Sequence, residues 1–113
     1  MHHRTTRAEH LAEGSRTAIV EGEPIGSGVS FFWVDAAPGE GPPLHRHPYP
    51  ETWAVLAGTG EASIDGEGVA LREGDVVVVG AGSAHRFRGT GEGRLRMMCM
   101  HASPRIVEEQ LEG

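Results

Sequence analysis

Hydrophobic residues in this chain fall in short runs bounded by glycine or proline, without the three-to-four-residue spacing of an amphipathic helix. Runs rich in β-branched and aromatic residues occur at 17–20, 29–34, 52–56, 61–64, 69–71, 76–79, 85–87 and 95–100. Each has the length of a β-strand. Eight short strands is the count of a jelly roll or barrel, so the pattern predicts an all-β fold built on a single barrel. The Asp65-Gly66 step between two runs predicts a hairpin, because both residue types tolerate the positive φ angles of a tight turn. Residues 1–15 are charged and aperiodic, which predicts a loose or partly helical arm ahead of a barrel domain over 16–113. Only Pro104 to Leu111 has helical character. There Ser103 can cap, Pro104 suits the first helical position, and Ile106, Val107, Gln110 and Leu111 fall on one side, predicting a short C-terminal helix.

Composition narrows the function classes. The chain has 113 residues and a net charge of −6, with 10 basic against 16 acidic residues. Without a basic patch it is expected to bind neither nucleic acid nor an anionic membrane. No apolar stretch approaches the roughly 20 residues of a transmembrane helix, and the start is too polar for a signal peptide, so a soluble, cytoplasmic protein is expected. Every basic residue is arginine; lacking lysine, the chain has no Schiff-base chemistry. The single cysteine, Cys99, excludes an internal disulfide and any multi-cysteine zinc or iron–sulfur site, so a metal here would be held by nitrogen and oxygen. There is no asparagine, which leaves turn formation to 17 glycines and 7 prolines.

Between Gly39 and Gly58 the sequence reads GEGPPLHRHPYPETWAVLAG. An extended backbone points His45 and His47 to one face and Arg46 to the other. Pro48 and Pro50 stiffen the link to Glu51, whose strand parity with Trp53 and Val55 turns it inward. A second stretch, GDVVVVGAGSAHRFRG from Gly74 to Gly89, sets His85 just past a buried-looking strand.

These two stretches resemble the cupin superfamily, and the short segment between them, residues 59–73, resembles its compact single-domain bacterial members. The first matches the family pattern G-x5-H-x-H-x3-E-x6-G without a departure, at Gly39, His45, His47, Glu51 and Gly58. The second matches at Gly74, Gly82 and His85, and departs at Gly80, where proline is usual, and at Gly89, where asparagine is usual. Both departures fall at turn positions. The resemblance implies a jelly-roll β-barrel with one divalent metal held by His45, His47, Glu51 and His85. Three imidazoles and a carboxylate suit iron, manganese, nickel, copper or zinc and do not choose among them.

The remaining candidates are read by strand parity. His101 shares the parity of Leu95, Met97 and Cys99 and is a candidate proton-transfer residue or neighbour of the metal ligands. Tyr49, between two ligands, is the other candidate catalytic group. Phe31, Trp33, Trp53, Phe87, Met97 and Cys99 are expected to line the pocket, and Arg86 and Arg88 to face solvent. Met98 and Met100 give the last strand a second apolar face, for which a homodimer contact is expected. A divalent ion with one glutamate carries a net +1, and an octahedral ion would keep two adjacent positions for a chelating, anionic small molecule. The expected function is therefore a metal-dependent enzyme of dioxygenase or isomerase/lyase type. A non-catalytic module that binds or senses a small ligand or metal is the alternative.

Overall fold

The computed structural model describes residues 1–111. Ten strands form two five-stranded antiparallel sheets: β1 (Ala18–Val20), β2 (Ser30–Ala36), β3 (His45–Arg46), β4 (Glu51–Ala57), β5 (Thr59–Ile64), β6 (Glu67–Arg72), β7 (Val76–Val79), β8 (His85–Thr90), β9 (Leu95–His101) and β10 (Glu109–Gln110). The first sheet has the order β1-β2-β9-β4-β7 and the second β10-β3-β8-β5-β6. The fold is the expected all-β jelly roll. Its core lies between the sheets and contains Val34, Trp53, Val55, Leu71, Val79, Phe87, Leu95, Met97 and Cys99. Alternation on β4, β8 and β9 sends every second residue into this core.

All eight sequence-predicted strands are present. The β5–β6 hairpin turns through Asp65 (φ 51°) and Gly66 (φ 81°), with Ile64 paired to Glu67, as the sequence predicts. In the arm, residues 7–10 form one 3-10 turn that packs against β1, with the Arg7 guanidinium over the Trp33 ring.

The C-terminal helix is a correction. Residues 104–108 are irregular, and 109–110 pair with β3 as a strand. A helix of eight residues is marginal by itself, while this backbone has tertiary partners on offer. The Leu111 amide donates to the Leu44 carbonyl, and the Ser103 hydroxyl accepts from the Arg105 amide, closing a local turn where a helix cap was expected. β3 and β10 have no counterpart among the eight runs read from sequence, since strands of two residues carry no periodicity.

Candidate metal centre

Each sheet contributes a cross-strand pair to the site. On the second sheet His45 is directly opposite His85; on the first, Glu51 at the start of β4 is opposite His101 at the end of β9. His47 follows β3 by one residue. These positions face each other across the barrel, all five side chains are buried, and the potential ligand atoms of His45, His47, Glu51 and His85 all lie within 4.8 Å of one another.

The hydrogen bonds behind the imidazoles determine what the front can do. Nδ1 of His45 donates to the Pro43 carbonyl at 2.7 Å, Nδ1 of His47 to the Val107 carbonyl at 2.7 Å, and Nδ1 of His85 to the Ser83 carbonyl at 2.9 Å. A carbonyl oxygen only accepts, so each Nδ1 carries its proton and each neutral ring turns an Nε2 lone pair inward. Nε2 of His85 is 3.1 Å and Nε2 of His47 3.3 Å from Oε1 of Glu51. Nε2 of His47 is buried without a hydrogen-bond partner among the described residues. Lone pairs facing a carboxylate repel unless a cation lies between them, and backbone-held histidines are the usual support of a metal site. The donor set fits a divalent metal ion.

Glu51 is itself oriented. Its Oε2 accepts from Trp53 Nε1 at 2.9 Å and lies 3.4 Å from Nε2 of His101. The Val107 amide donates to the Tyr49 hydroxyl at 3.1 Å, and that hydroxyl in turn donates to Nδ1 of His101 at 2.8 Å. Burial alone would raise the Glu51 carboxyl, but His101, and His47 and His85 whenever their Nε2 atoms carry a proton, outweigh it and hold the group well below the ordinary carboxylate range. Burial pushes His45 down; for His47 it is outweighed by Glu51 and the Val107 carbonyl, and the group is raised. The Cys99 thiol is pushed well up by burial, so it is no thiolate.

A cavity of about 600 Å³ opens onto the cluster, lined by His45, Glu51, His101, Phe32, Cys99 and Phe87 at the inner end and by residues including Arg16, Asp35, Glu40 and Arg94 further out. A family model described as the cupin domain matches residues 32–101, more than half of the chain.

This chain is a cupin.

The chain is also similar to one curated protein and to solved structures. CurC of Streptomyces cyaneus, named a polyketide synthase, is 38% identical over 85 residues, which is 72% of this cupin and 54% of CurC. The chain thus spans about half the length of the curated relative it matches. A structure concerned with the Mn(II) centres of Bacillus subtilis oxalate decarboxylase superposes with a TM-score of 0.76 at 20% identity, over 89% of the cupin and 29% of that chain. An uncharacterized conserved protein with a double-stranded β-helix domain from Klebsiella pneumoniae gives a TM-score of 0.76 at 20% identity, over 97% of both chains. At such identities the two solved structures share the fold.

Of the residues expected to line the pocket, Phe87 and Cys99 do so. Trp53 and Met97 are in the closed core instead, where Trp53 meets the rings of His85 and Phe87 edge-on. Phe31 and Trp33 are not among the residues around this cavity, whereas Phe32 is, stacked on His101 at 5.1 Å. The run Phe31-Phe32-Trp33-Val34 is apolar on both faces, so sequence offers no alternation to fix its parity. Tyr49 is half-buried beside the centre and does not line the cavity. Arg86 and Arg88 are exposed. Glu108, which no motif marks, reaches the centre from the C-terminal segment, with its Oε1 3.6 Å from Nε2 of His45.

Proposed function

We propose that this cupin holds one divalent transition metal ion in His45, His47, Glu51 and His85, and that it binds and transforms a small, anionic, chelating molecule in the adjoining cavity. The observation that supports this most directly is the convergence of three backbone-held imidazole lone pairs on a buried carboxylate. When bound, the ion supplies Lewis acidity toward a substrate oxygen, with oxygen-dependent chemistry open to iron and isomerase or lyase chemistry to manganese, nickel or zinc.

The chain's own residues do the rest. Trp53 and His101 hold Oε2 of Glu51, so that Oε1 stays aimed at the imidazoles. Phe32, Phe87 and Cys99 give the inner cavity an apolar wall that strengthens electrostatic contacts there. His101 reaches the cavity and is the candidate to move a proton; Tyr49 acts through it by fixing Nδ1. CurC is named a polyketide synthase and the Bacillus relative an oxalate decarboxylase. Both names support a carbonyl-rich, anionic substrate class.

The second reading, a non-catalytic module for binding or sensing a small ligand or metal, is favoured by one observation. The Tyr49 hydroxyl is engaged by Val107 and His101 and away from the cavity, which leaves few proton donors beside a bound ligand. Elemental analysis of the purified protein, then aerobic and anaerobic turnover assays after reconstitution with each metal, separates the readings. Stoichiometric metal in the wild type and its loss in His47→Ala and Glu51→Ala are expected. Retention of metal with unchanged affinity in either variant overturns the ligand set, and bound metal without turnover of any carbonyl-rich acid moves the binding module to first place.

A further inference from the structure

The C-terminal segment brings a second carboxylate to the edge of the centre. Its backbone is fastened on both sides of Glu108: the Val107 amide and carbonyl bond to Tyr49 and His47, Glu109 makes two hydrogen bonds to Arg46 at 2.9 and 3.1 Å, and the Leu111 amide bonds to Leu44 at 3.0 Å. Glu109 is directed outward, its side chain 61% exposed, whereas Glu108 lines the cavity with its Oε1 3.6 Å from Nε2 of His45. His45 has its Nδ1 proton on Pro43, so as a neutral ring it has none on Nε2 to give. Two acceptors set face to face at the edge of a cluster of metal-binding type are what a shared cation would bridge.

We propose that Glu108 is an exchangeable ligand of the metal centre, occupying one of the two positions that His45, His47, Glu51 and His85 leave on an octahedral ion and yielding it to an incoming carboxylate or enolate. This rests on the metal reading above. With two carboxylates the divalent centre is neutral, and an anionic oxygen that replaces Glu108 preserves the balance of charge on the ion. The site therefore selects anionic oxygen donors over neutral ones.

The full chain loaded with Co(II), whose visible spectrum reports coordination number, provides the test, with acetate as the probe ligand. Glu108→Ala is expected to change the spectrum, to weaken Co(II) binding at least tenfold, and to bind acetate at least tenfold more tightly than wild type, with Glu108→Gln between them. Glu109→Ala, which loosens the segment through Arg46 but keeps the Glu108 carboxylate, is expected to shift the spectrum and the acetate affinity clearly less than Glu108→Ala. An equal change in Glu109→Ala assigns the effect to docking of the segment and overturns the proposal. A wild-type spectrum and acetate affinity that do not respond to residue 108 overturn the role of Glu108 alone, whereas a wild type that takes up no Co(II) overturns the metal reading with it.

Discussion

Two buried carboxylates organise this molecule, and they do so in opposite ways. Glu51 is surrounded by imidazoles and the Trp53 indole; Asp35 is surrounded by guanidinium groups, with Arg94 Nε at 2.5 Å, Arg96 at 3.6 Å and Arg7 at 3.8 Å. Burial raises the Asp35 carboxyl, but the hydrogen bond from Arg94 and the charges of Arg94, Arg96 and Arg16 outweigh it and leave the group lowered. A carboxyl lowered by folding stabilises the protein fully above its unfolded value of about 3.9, and that contribution disappears as pH falls through the folded value. Asp35→Asn is accordingly expected to destabilise the protein at neutral pH by about 1–3 kcal/mol. It should also flatten the acid limb of stability below about pH 4, and denaturant titrations at several pH values check both. Glu51 was legible from sequence because a motif and strand parity both point to it. Asp35 was not, because its partners come from the arm, from Arg94 just ahead of β9 and from Arg96 on it, and no local spacing records them.

At the level of elements, what sequence reveals depends on whether a segment's two faces differ. β4 and β9 show one buried and one lighter face, and their inward residues, Glu51 and His101 among them, can be named from parity. β2 is apolar on both faces, and parity there fails. Residues 104–111 have helical spacing, yet their backbone groups find fixed partners on and beside β3, and an irregular strap ending in a two-residue strand results. The approach to β3 depends on one close contact: a Cβ on Gly41 would lie 1.8 Å from the Phe87 carbonyl oxygen. Gly41→Ala is expected to push this loop off β8, at a cost of about 3 kcal/mol, and to weaken metal binding by separating His45 from His85. Chemical unfolding combined with metal titration measures the two effects together.

For the whole molecule, the centre joins the two sheets, since His45 and His85 belong to one and Glu51 to the other. Metal at about a hundred times its dissociation constant adds about 2.7 kcal/mol, so a chelator is expected to lower Tm by roughly 10 °C. An unchanged Tm would count against a metal that ties the sheets. The outer face of the first sheet bears two uncharged rows set by register, Trp33-Met98-Ala54-Val76 and Phe31-Met100-Thr52-Val78. Val76 and Val78 are 70% and 66% exposed. Arg7 lies over Trp33, and the Asp35–Arg96 pair follows on the same face; the two uncharged rows can meet their own copy about a twofold axis without burying an unpaired ion, and a homodimer is expected in sedimentation or light scattering. Val76→Glu with Val78→Glu should give a monomer.

The fastening of His47 by Val107 spans 60 residues of chain. Ribosomes add about 5–20 residues per second, so several seconds separate the synthesis of these two groups. During that interval a nascent chain presents His45, His47 and Glu51 without the carbonyl that sets the His47 tautomer. The donor set is finished only after translation has passed the strap, so the ions available at that moment are expected to decide which one such a site takes up.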